Sequence, residues 1–134
     1  MLNTSGGRTF AAFLRSEIVG PLIEAEFDAL RSDRKLGRAA VERERAAFEK
    51  HLGDIRRRRL ARTVGKVYAD LNSMTAPVFD AGGRILLTFT VFGPATTCSA
   101  DWDGPIARGV AAAAARVMDK IGGVPPGDSI GKSS

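Results

Sequence analysis

The sequence predicts an α+β fold, an antiparallel sheet flanked by helices, on three observations. Two apolar runs, Asn72–Phe79 and Ile85–Phe92, flank Asp80-Ala81-Gly82-Gly83-Arg84. A short glycine-bearing link between β-branched and aromatic runs signals a β-hairpin. Ahead of it, apolar residues recur at helical spacing among charged ones, and after it an alanine-rich segment continues to Gly122.

From the N-terminus, Met1–Arg8 reads as a polar, glycine-containing loop leading into a helix over Thr9–Leu14. The first N–H groups of a helix have no intrahelical acceptor, so the Ser5-Gly6-Gly7 turn is a candidate cradle for a carboxylate or phosphate. It is equally a common way to start a helix. Ser16 is placed to cap a second helix running to about Leu30, with Ile18, Leu22, Ala25, Ala29 and Leu30 as its apolar stripe. Pro21 falls near its first turns, where proline is tolerated. A third helix, about Arg38–Arg58, puts Val41, Phe48, Leu52 and Ile55 on one side and charged residues on the other.

Arg62–Tyr68 reads as extended and feeds the hairpin. In its second strand Ile85, Leu87, Phe89 and Val91 share one face, while Leu86, Thr88, Thr90 and Phe92 share the other. In the first strand Ser73 and Thr75 stand opposite Met74, Ala76 and Val78. A face that mixes hydroxyls with Leu and Phe suits either a small polar-ligand pocket or an ordinary strand packed under helices. Asp101 and Asp103 are placed to cap a last helix whose stripe is Ile106, Val110, Ala113, Val117 and Ile121, with Gly122 as its C′ residue. A sheet of two or three strands is thin for such a domain and leaves a hairpin edge to be paired or covered. Val124–Ser134 reads as a loose tail after a domain spanning residues 1–123.

A chain of 134 residues with 44% apolar content suits one domain with a core. The single cysteine, Cys98, excludes an intramolecular disulfide framework and fits a reducing, cytoplasmic setting. No apolar run approaches the ~20 residues of a membrane helix, and no secretory leader is apparent. The net charge of +5 raises nucleic-acid binding. However, the basic residues up to Lys50 alternate with glutamates, and Arg56-Arg57-Arg58-Arg59 fans around a helix C-terminus, where cations suit the macrodipole.

No enzyme chemistry is supported. The Gly127–Ser133 segment imitates a phosphate loop but has three residues between its glycines where four are needed. Cys98 and the lone His51 give no nucleophile–base pair, and no metal-ligand spacing or cofactor motif exists.

The hairpin and its flanks resemble the C-terminal effector-binding domain of the IclR family of bacterial transcription regulators. The residues that carry the resemblance are Ala76-Pro77-Val78-Phe79-Asp80, Gly83-Arg84, and the Thr88–Pro94 strand ending in Gly-Pro. Ser5-Gly6-Gly7-Arg8 through Leu14 is similar to the family's loop and helix start, and Arg57–Gly65 to its R-x-R-G-[LM]-A-R segment. The similarity runs from Leu2 to Gly123. It implies a GAF-like or profilin-like domain that senses a small organic or aromatic acid and controls a helix-turn-helix domain placed ahead of it. That domain and the family's first strands are not in this sequence, so DNA contact is expected only through an absent N-terminal part. The family forms dimers and tetramers.

By position, the resemblance assigns effector-binding roles to Ser5 and Gly6, whose amides would hold a carboxylate, and to Leu71, Ser73, Thr90 and Phe92. Phe92 stands where some members carry a serine, which points to a more apolar or aromatic ligand. The alternative is a dimerisation module whose pocket is filled by Phe92 and Leu86. Whether Ser73 shares a face with Thr90 and Phe92 depends on the hairpin register.

Overall fold

The computed structural model describes residues 2–33, 35–65 and 70–126. In chain order the elements are α1 (Ser5–Phe13), α2 (Ser16–Arg31), α3 (Arg38–Arg58), β1 (Ala61–Val64), β2 (Leu71–Phe79), β3 (Ile85–Pro94) and α4 (Pro105–Ile121). The strands form one antiparallel sheet in the order β1-β2-β3 that does not close on itself. Helices α1 to α3 pack on one face and α4 on the other, so the α+β reading holds. The phosphate-loop imitation and Tyr68 lie outside the described residues, as does most of the expected tail.

Strand alternation produces this layering. Met74, Ala76 and Val78 of β2 are buried against Ala107, Val110 and Ala114 of α4, with Phe89, Val117 and Met118 partly buried beside them. The opposite face of β2 carries Ser73 and Thr75, and near its end Phe79 meets the Phe13 ring edge-on at 4.9 Å between centroids. β1 pairs with β2 only from Asn72 to Thr75. Pro77 therefore lies where β2 is bordered by β3 alone, a position that tolerates its missing N–H.

α3 buries the four residues its period predicts, Val41, Phe48, Leu52 and Ile55. α2 differs by one position: Val19, Ile23 and Phe27 are buried, whereas Ile18 and Leu22 are half exposed. Two apolar sets overlap in this helix, and the one carrying Phe27 wins because that ring packs edge-on against Phe48, 5.8 Å between centroids.

Three caps also differ from expectation. α1 begins at Ser5, because Thr4 acts as N-cap and accepts a hydrogen bond from the Gly7 N–H at 3.0 Å. The residue before α2 is Arg15, which leaves Ser16 inside the helix. Gly104, not an aspartate, precedes α4, whose first residue Pro105 needs no cap for a missing N–H. α4 buries Ala107 and Ala114 alongside Val110, while Ile121 is exposed. Gly122 ends it in the left-handed conformation with φ 72°, as its position predicts.

The hairpin turn is built on Asp80, whose N–H donates to the Arg84 carbonyl at 2.8 Å. Its Oδ1 accepts from the N–H groups of Gly82 and Arg84 at 2.9 and 3.0 Å. A register shift at Val78/Phe79 brings Ile85 opposite Phe79, which breaks the expected alternation at the first residue of β3. Beyond α4 the backbone docks on this turn: Val124 N–H donates to Asp80 O at 3.0 Å. An added Cβ at Gly123 would stand 2.0 Å from the Phe79 carbonyl oxygen, so only glycine fits.

Candidate functional site

The sheet register aligns polar residues in rows across the three strands. Thr63, Ser73 and Phe92 form one row, and Ala61, Thr75 and Thr90 the next. Ser73, Thr75, Thr90 and Phe92 therefore share a face, and the N-terminal end of α1 lies over it. Between them is a cavity of about 400 Å³ lined by Thr4, Ser5, Gly6, Thr63, Leu71, Ser73, Thr90 and Phe92. All six residues singled out from the sequence lie in this one wall. Thr4 and Thr63 were not singled out. Thr4 follows the pattern of an N-cap residue ahead of a helix, and Thr63 aligns only once β1 is paired.

Four hydroxyls form a continuous chain along the cavity floor. Ser5 Oγ lies 2.8 Å from Ser73 Oγ and 2.7 Å from Thr75 Oγ1, and Thr75 Oγ1 lies 2.8 Å from Thr90 Oγ1. The order is thus Ser73, Ser5, Thr75, Thr90. Four O–H groups joined by three links leave one proton to donate outward, at whichever end meets an acceptor. Both ends, Ser73 and Thr90, line the cavity, while Thr75 is 0% exposed beneath them. The chain was not legible because it needs Thr75, which the alternation placed beside Ser73 without a partner.

Ser5 is fixed from behind by Thr9, whose Oγ1 donates to the Ser5 carbonyl at 2.7 Å. Of the first N–H groups of α1, that of Gly7 is taken by Thr4 Oγ1 and that of Arg8 by Thr4 O at 2.9 Å. Among the described residues the Ser5 and Gly6 amides have no acceptor outside the helix and remain as donors at its positive end. Among the described residues no charged side chain lines the cavity, and the anion-complementary groups they offer are these amides and the hydroxyl chain. Leu71 and Phe92 supply apolar wall. Phe92 is 74% exposed and Leu86 is exposed, so neither fills the space.

Beneath the same region Arg8 is 4% exposed, and burial pushes its pKa down. Its guanidinium donates to Leu2 O at 3.2 Å, Arg62 O at 2.5 Å and Thr63 Oγ1 at 3.2 Å. His51, expected at the surface, is half-buried. Among the described residues no group of three or more His, Cys, Asp or Glu side chains is placed to hold a metal ion. No helix among them is long and apolar enough to cross a membrane.

No family model and no curated protein matches the chain. Solved structures do. HmgR from Pseudomonas aeruginosa is 33% identical with a TM-score of 0.73, over 90% of this chain and 44% of HmgR. An IclR transcriptional regulator from a Silicibacter species is 23% identical with a TM-score of 0.68, over 92% of this chain and 46% of that one. The C-terminal domain of the Escherichia coli transcriptional regulator KdgR is 15% identical with a TM-score of 0.64, over 90% and 70% respectively. This chain thus spans less than half of HmgR and of the Silicibacter regulator. These structural neighbours are transcriptional regulators, not enzymes. The resemblance read from the hairpin and its flanks therefore holds in three dimensions: over nine-tenths of its length, this chain has the fold of the C-terminal domain of IclR-family transcriptional regulators.

Proposed function

We propose that this chain is the effector-sensing domain of an IclR-type transcriptional regulator and that its cavity takes a small organic acid. The observation that carries the reading is the convergence of uncapped α1 amides and a hydroxyl chain with one outward proton on a single cavity of about 400 Å³. The ligand's carboxylate lies against the Ser5 and Gly6 amides and accepts a hydrogen bond from the free O–H of Ser73 or Thr90. Its apolar body lies against Leu71 and Phe92, which favours an aromatic acid over a small 2-oxo acid. Binding acts by favouring one arrangement of a cytoplasmic homo-oligomer, because a ligand shifts an equilibrium only through differential affinity. DNA contact belongs to a helix-turn-helix domain outside this sequence.

Thermal unfolding in the presence of aromatic and aliphatic carboxylic acids tests this. A binding acid raises the Tm of the native chain, and Thr90→Val together with Ser73→Ala removes the rise while the fold is kept. A folded protein with no response to any acid sinks the sensor reading and favours an interaction module. In that module the exposed β3 edge pairs with a second copy, without ligand.

A further inference from the structure

A second concavity, of about 280 Å³, opens between the C-terminal half of α3, β1 and the loop before α4. Arg8, Lys50, His51, Arg58, Arg62 and Trp102 form most of its wall. The acidic side chain present, Asp54, is ion-paired with Arg57. The concavity is therefore strongly cationic.

Arg8 makes this more than a charged patch. All three acceptors of its buried guanidinium are neutral, two carbonyls and a hydroxyl, and among the described residues no carboxylate pairs with it. An arginine stays protonated when buried, and an enclosed charge without a counter-charge is unfavourable. Arg58 and Arg62 add to the excess. Their guanidinium carbons lie 4.5 and 4.4 Å from the centroid of the Trp102 ring, and Arg62 also donates to the Ala100 carbonyl at 2.7 Å, which positions both groups without neutralising either.

We propose that this concavity binds a phosphoryl anion, free or esterified to a small molecule. A tetrahedral, doubly charged oxyanion has acceptors for more than one guanidinium fork, where a monocarboxylate saturates one. The volume exceeds a bare phosphate and leaves room beside the indole for an organic group. An extended nucleic acid fits less well. Two neighbouring arginines that would lengthen the cationic surface are engaged, Arg56 Nε with Ala12 O at 2.8 Å and Arg57 with Asp54.

Trp102 is the only tryptophan of the chain, so its emission reports binding beside this indole. The native chain is titrated with inorganic phosphate, with a sugar phosphate, and with sodium chloride at matched ionic strength. A saturable change with a phosphoryl compound and none with chloride is expected. Tighter binding of the sugar phosphate assigns the ester, and equal binding the free anion. Affinity falls about tenfold in Arg58→Gln, the loss expected for one charged hydrogen bond, and falls in Lys50→Gln, which leaves the indole contacts intact. Thr90→Val, in the other cavity, leaves it unchanged, so failure here is distinct from failure of the sensor reading. The proposal is overturned by a response that chloride reproduces, by affinity unchanged in both cationic-site variants, or by a single-stranded oligonucleotide that binds tighter than either phosphate with a steep salt dependence.

Discussion

Thr75 is the link on which the hydroxyl chain depends, and Thr75→Val removes its oxygen while nearly keeping its shape. The side chain is fully buried and its Oγ1 joins Ser5 at 2.7 Å to Thr90 at 2.8 Å. Each neutral hydrogen bond contributes about 1 kcal/mol net, so two are worth roughly 2 kcal/mol. The added methyl recovers at most about 0.8 kcal/mol by burial. Ser5 keeps Ser73 as a partner, and the exposed Thr90 hydroxyl regains water. The expected net loss is about 1–2 kcal/mol. For 134 residues, an unfolding entropy near 2.1 cal/mol/K per residue converts this to a Tm lower by roughly 4–7 °C. Thermal unfolding followed by circular dichroism at fixed pH measures it. Ser73→Ala, at the end of the chain with one bond, should lose about half as much. A Thr75→Val variant with unchanged or raised Tm would show that the hydroxyl chain does not stabilise the fold.

Other perturbations have equally definite outcomes. Gly123→Ala forces a methyl against the Phe79 carbonyl and should destabilise the chain by about 1–3 kcal/mol in urea unfolding, a loss not matched by alanine at the open Gly109. Asp80 is held below the usual carboxylate range chiefly by the Arg84 backbone N–H, helped by the Gly82 N–H and the Arg84 charge. A depressed folded pKa gives stability that is present above the unfolded value of about 3.9 and is lost as pH falls through the folded value. Asp80→Asn should thus lower the Tm at pH 7, with the gap to the native chain closing below about pH 4. Charges on the β3 edge, introduced as Leu86→Lys with Val91→Lys, should shift any self-association toward monomer in sedimentation velocity while leaving the far-ultraviolet spectrum unchanged.

How far the residues announce this structure depends on how local the deciding physics is. The α3 stripe and the Gly122 terminus follow from period and backbone preference alone, and both are as the pattern indicates. The α2 stripe does not, because Val19-Ile23-Phe27 and Ile18-Leu22-Ala25 are both acceptable faces, and Phe48, outside the helix, selects between them. The start of α1 was hidden by its two glycines, which suggest a loop until Thr4 is seen to cap them. The bulge at Val78/Phe79 has no signature in an uninterrupted apolar run. The six residues assigned by position gather on one cavity because family motifs carry register information that alternation lacks. The buried state of Arg8 has no such signal: an arginine four residues after a helix cap reads as solvated until β1 and α3 close over it.

The bond from Arg8 to the Arg62 carbonyl gives the sheet a direction. β1 is only four residues long, and this guanidinium occupies an oxygen that an incoming strand would need. On the far side β3 runs ten residues without a charged side chain, its outer margin unstoppered. Among the described residues the two borders are therefore unequal: one is plugged from within by a side chain of α1, and the other is open. A strand added to this sheet, from a neighbouring segment or a second molecule, would meet fewer obstacles at β3 than at β1.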